Sequence, residues 1–175
     1  MNAMDMFPLS SLYDLSDLSE GGTEVTITAN PEQRAQLARW ADISAVSDFH
    51  ALVTLRRISG NRFAYDATLS ADIVQACVVT LEPVRSHLAL EISRLLHLIK
   101  FPLNAKISPQ EVSGSEDGPE EIQDARYDIA TPLLEEFALA IDPYPRCPGV
   151  AFKPEPDDDT AKGPFEVLKS LKGES

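Results

Sequence analysis

Two stretches of strict alternation flank Ser59-Gly60-Asn61, and they constrain the fold more than any other feature. On one side Phe49, Ala51, Val53 and Leu55 alternate with His50, Thr54 and Arg56. On the other, Phe63, Tyr65, Ala67, Leu69, Ala71 and Ile73 alternate with Arg62, Asp66, Thr68, Ser70 and Asp72. A period of two puts each set on one face of a pleated strand, and the Gly-Asn pair supplies the reversal. The segment therefore predicts a long antiparallel hairpin with one dry and one wet face.

The flanking sequence adds further elements. Gly21-Gly22 breaks the chain, and Val25, Ile27 and Ala29 then alternate as in a half-buried strand. Asn30-Pro31-Glu32-Gln33 reads as a helix start: Asn30 caps, Pro31 fits the first turn, and Gln33 reaches back. Leu37, Trp40 and Ala41 share one face of that helix, with Trp40 packing it onto the sheet. After Pro83 a third strand buries Leu88, Leu90 and Ile92, and Thr131-Pro132 opens a second helix running to about Ile141. Residues 1–20 space Leu9, Leu12, Leu15 and Leu18 by three, as a short helix or a segment laid over a groove, with Phe7, Leu12 and Tyr13 as packing residues. Residues 108–124 carry six acids and few apolar groups and read as a loop, with brief pairing near Ala125 to Ile129. Prolines 143, 145, 148 and 154 forbid helix, and Asp157-Asp158-Asp159 forbids burial.

The expectation is an α+β fold: a mainly antiparallel sheet with two principal helices, an acidic loop and a C-terminal tail. Residues 1–22 form an N-terminal extension, 23–152 one domain containing the loop 108–124, and 153–175 an acidic Pro-rich tail with a short terminal helix.

Charge narrows the function. The net charge is −13, and residues 111–175 hold 16 acids against 6 bases while residues 1–110 hold 12 against 9. Such a balance disfavours general binding to nucleic-acid phosphates and points to a basic protein partner or to solubility. DNA is not an expected partner. Two cysteines far apart in sequence make neither a disulfide framework nor a zinc site, and Cys147 reads as exposed and incidental. No signal peptide or membrane-spanning run is read, so a cytoplasmic location is expected.

No catalytic pattern stands out in the chain. His50 and His87 fall on the wet phase of strands, and His97 sits in the apolar run Leu95 to Ile99, without a ligand or nucleophile at the spacing chemistry needs. Glu135 and Glu136 are adjacent, so they diverge by about 100° on a helix and do not form a paired-carboxylate site. Neither a phosphate-cradling Gly loop nor a nucleophile elbow is present. No enzyme activity, cofactor or metal is expected; a small enzyme is the remote alternative, for which a buried, convergent polar pocket would be the sign.

Three co-linear segments carry a family resemblance. The first is Cys77-Val78-Val79-Thr80-Leu81-Glu82-Pro83. The second runs from Asp128-Ile129 to Pro143-Tyr144-Pro145-Arg146, with Glu135 and Glu136 inside it. The third is Phe165-x-x-Leu168-x-x-Leu171 after Pro164. Together they resemble the YceD family, whose members are linked to accumulation of large-subunit ribosomal RNA in bacteria and plastids. In that family the first segment commonly reads Cys-x-Arg-Cys-Leu before a proline. Here Cys77 and Leu81 are kept, Val79 replaces the arginine and Thr80 the second cysteine, so a two-cysteine redox or metal role within this turn is lost.

The resemblance implies a non-enzymatic factor for large-subunit rRNA accumulation, acting as a protein-binding adaptor or chaperone. Cys77, Thr80, Leu81, Pro83, Glu135, Glu136, Pro143, Arg146, Phe165 and Leu168 are its candidate partner-binding residues. The implied partner is a basic ribosomal or assembly protein, drawn to the acidic C-terminal third and held in register by Phe165 and Leu168. The alternative is direct contact with large-subunit rRNA through Arg56, Arg57 and Arg62 near one hairpin end.

Overall fold

The structure, a computed structural model, describes residues 7–19, 21–99 and 118–151. Its frame is the predicted hairpin: β3 (Ala45–Ser59) and β4 (Arg62–Ala76) pair antiparallel from end to end, and β5 (Pro83–Leu98) continues the meander. β2 (Thr23–Thr28) closes the other side against β3, and β6 (Glu120–Ile122) lies parallel to β5 at Leu96–Leu98. The sheet order is β2-β3-β4-β5-β6. A second, two-stranded sheet joins β1 (Leu12–Asp14) to β7 (Arg126–Asp128). The α+β architecture with a mainly antiparallel sheet is as the alternation implies.

Two ten-residue helices cover the dry face. α1 (Pro31–Trp40) begins with the full capping box: Gln33 N–H donates to Asn30 Oδ1 and Asn30 N–H to Gln33 Oε1, both at 2.9 Å. It buries Leu37 and Ala38, and its Trp40 is half-buried with Phe7 edge-on at 5.8 Å. α2 (Thr131–Ala140) buries Leu133, Leu134 and Phe137. Phe137 meets Phe49 of β3 edge-to-face at 5.4 Å, an arrangement that suits the ring quadrupoles. The alternation of β4 is nearly complete, with Phe63, Tyr65, Leu69, Ala71 and Ile73 all inside.

Two expectations need correction. Residues 108–124 are not loop throughout: Glu120–Ile122 is a strand, because Ile122 is buried and Ile99 N–H donates to the Ile122 carbonyl at 2.9 Å. Leu12 is not a packing residue either. It is 44% exposed on β1, while Leu9, Leu15 and Leu18 are the leucines that enter the core. Residues 7–18 thus supply core, with Leu15 on a single 3-10 turn (Leu15–Asp17) fully buried. Asp128 clasps this segment: its Oδ1 accepts Ser11 N–H at 2.8 Å and Ala130 N–H at 3.0 Å, just ahead of α2.

Candidate functional site

The turn between β4 and β5 opens the candidate site. Cys77 N–H donates to the Glu82 carbonyl at 2.8 Å and Leu81 N–H to the Cys77 carbonyl at 2.9 Å, closing a tight loop. Leu81 is forced to a φ of 62°, a left-handed conformation in which its Cβ crowds the backbone, yet its side chain is 78% exposed. Pro83 then starts β5.

The segment after α2 docks directly on this turn. Val78 N–H donates to the Pro145 carbonyl at 2.9 Å, Gln75 Nε2 to the Asp142 carbonyl at 2.8 Å, and Cys147 N–H to Cys77 Sγ at 3.3 Å. Thr80 Oγ1 lies 3.8 Å from Cys147 Sγ. Two of the three motif segments, far apart in sequence, are therefore joined into one hydrogen-bonded tip. Cys147 is not exposed as its neighbours suggest: it is half-buried in this junction, and both thiols are free.

The junction has its own electrostatics. The Thr80 hydroxyl first, then the backbone N–H groups of Cys147, Thr80 and Val79, lower the Cys77 thiol pKa to about 6, against the burial of a side chain with no exposed surface, which raises it. Burial pushes the Cys147 thiol the opposite way. The tip is also apolar on its outside: Leu81, Val78 and Tyr144 are 78%, 46% and 71% exposed. Three large apolar groups thus stand exposed on a hydrogen-bonded turn with a strained backbone.

Glu135 and Glu136 belong to a second constellation, on α2. Arg94 of β5 reaches Glu135 at 2.8 Å, Glu136 at 3.3 Å and Glu120 of β6 at 3.6 Å. The helix turns the two glutamates apart, but one guanidinium forks to both. Burial alone would lower the Arg94 pKa, and the Glu135 and Glu136 carboxylates outweigh it and hold it above the ordinary value. Tyr127 donates its hydroxyl to Glu120 at 3.1 Å, and Tyr65 donates to the Ile129 carbonyl at 2.9 Å; burial raises both phenols. Arg94 escaped the sequence reading, yet a signal existed. It occupies the dry phase of β5 in step with Leu90, Ile92 and Leu96, where a charge requires partners.

The three arginines do not form one patch. Arg56 is ion-paired to Asp66 at 2.7 Å on the wet face. Arg57 points the other way, donating to the Leu15 and Ser16 carbonyls at 2.9 and 3.3 Å and lying 5.1 Å from the centroid of the Phe63 ring. Arg62 has no ion pair among the described residues. The histidines are held by neighbours: His50 by Asp48 at 2.8 Å, His87 by Asp72 at 2.7 Å, His97 by Asn61 at 2.8 Å. Phe165, Leu168 and Asp157-Asp158-Asp159 lie outside the described residues. No helix among the described residues is long and apolar enough to cross a membrane.

All three motif segments fall inside the reach of one family match. The family model described as large ribosomal RNA subunit accumulation protein YceD matches residues 65–172, from β4 through α2 and beyond. The match spans more than half of the chain, and this protein belongs to the YceD family. That family is described by a role in accumulating large-subunit ribosomal RNA, not by an enzymatic activity. No curated protein and no solved structure matches the chain.

Proposed function

We propose that this protein is a non-enzymatic, cytoplasmic factor for large-subunit rRNA accumulation that works as a protein-binding adaptor or chaperone. The observation that carries the reading is the exposure of Val78, Leu81 and Tyr144 on two family segments joined by hydrogen bonds. Its partner is a basic ribosomal or ribosome-assembly protein. The charge of −13, concentrated toward the C-terminus, favours that choice, and charged groups around an apolar centre speed encounter and fix register. Asp157, Asp158, Asp159, Phe165 and Leu168 are assigned to the same partner on sequence grounds.

Affinity capture from lysate at two salt concentrations, with and without nuclease, tests this. Large-subunit proteins recovered after nuclease treatment, reduced at high salt and lost with Leu81→Asp, support the adaptor. Recovery abolished by nuclease would instead favour the RNA reading and Arg62. Absence of ribosomal material under all conditions would overturn the proposal.

A further inference from the structure

The five-stranded sheet ends unevenly. β6 covers only Leu96–Leu98 of β5, and among the described residues no strand pairs with the outer edge of β5 from Val84 to Arg94. An open ladder of that length is a template for another strand. Its side chains alternate: Val84, Ser86, Leu88 and Leu90 are half-buried, and Arg85, His87, Ala89 and Glu91 are exposed. Arg85 and Glu91 have no ion-pair partner among the described residues.

We propose that this edge pairs antiparallel with β5 of a second copy of the chain, about a two-fold axis at Leu88, so that two sheets become one. The argument is one of register. Dry faces stay continuous only if opposed residues share a phase, which restricts the axis to a residue position. With the axis at Leu88, Arg85 faces Glu91 of the second copy and Glu91 faces Arg85, so the exposed charges satisfy each other twice. Moving the axis to His87 stacks His87 on its own copy and sets Glu91 against Pro83. Moving it to Ala89 leaves Arg85 opposite Ser93. On the dry side the chosen register sets Leu88 against Leu88 and Val84 against the already buried Ile92, covering Leu88 and Val84, which one copy leaves half-buried. The span Val84–Ile92 is bounded naturally. Pro83 has no N–H to contribute at one end, and β6 takes the edge at Leu96 on the other.

Sedimentation equilibrium of the full chain tests this. The expected species is twice the 19.2 kDa monomer. Arg85→Glu alone and Glu91→Arg alone each raise the dimer dissociation constant by about tenfold or more, because like charges then oppose each other on both sides of the axis. The double reversal, Arg85→Glu with Glu91→Arg, restores it. Both positions are exposed on the wet face, and circular dichroism confirms that each variant stays folded. A monomer up to the solubility limit, as when the chain's own remaining segments cover the edge, overturns the proposal. So does a dimer indifferent to the single reversals or not recovered by the double one.

Discussion

Leu81 combines two costs that a stability-driven sequence would avoid, and its replacement separates them. Its φ of 62° is a region where a residue with a Cβ is disfavoured by about 1–2 kcal/mol. Glycine removes that cost but gives the unfolded chain more freedom, which returns about 0.5–1 kcal/mol to the unfolded state. With the leucine side chain 78% exposed, little burial is lost. Leu81→Gly should therefore stabilise the domain by about 0.5–1 kcal/mol, read as a raised urea midpoint with an unchanged slope. Asp42, at a φ of 52° just after α1, is the control: Asp42→Gly relieves the same backbone region away from the tip. Partner capture should fall with Leu81→Gly and persist with Asp42→Gly, the pattern of a residue kept for contact at the expense of stability. Destabilisation by about 1 kcal/mol or more on Leu81→Gly would show that the side chain serves the fold, and the reasoning would fail.

Further outcomes are expected. Arg94→Ala should lower stability by about 2 kcal/mol in urea titration, since three carboxylates lose their shared cation, and Arg94→Lys should recover only part because it lacks the fork. The Cys77 thiolate, followed by its ultraviolet absorbance in a Cys147→Ala variant, should form with a midpoint near pH 6, above which the charged form dominates. Thr80→Val should move that midpoint upward, since the hydroxyl is the leading cause of the depression. Gly22→Ala should cost about 2 kcal/mol by the same denaturant assay: the residue has a φ of 82°, and an added Cβ would stand 2.7 Å from the Leu55 carbonyl oxygen.

Elements whose signals are local were legible in the sequence. Alternation on both sides of Ser59-Gly60-Asn61 gave β3 and β4, and the reciprocal Asn30–Gln33 pattern gave the start of α1. β6 was not legible, because three residues of Glu-Glu-Ile carry no period and become a strand only when β5 offers an edge. The N-terminal leucines show the same limit. A spacing of three cannot say which of Leu12 and Leu15 faces inward, and pairing with β7 decides it. At the candidate site, Cys77, Leu81 and Pro143 were picked out one by one. Their meeting depends on bonds between residues about seventy positions apart, which no single segment encodes.

The clasp between the two ends of the domain sets the order in which it can be made. Leu15 N–H donates to the Ala125 carbonyl, Ser11 N–H to Asp128, and Ile129 N–H to the Ser11 carbonyl. While the ribosome synthesises this chain, Leu9, Leu15 and Leu18 emerge first and must wait for residues 125–137 before they can be covered. Contacts that bridge such a separation are closed late and slowly. The nascent β2-β3-β4 unit, with α1 already on it, would then stand for some time with the part of its dry face that α2 covers still bare. A chaperone engaged during translation has its most natural target there.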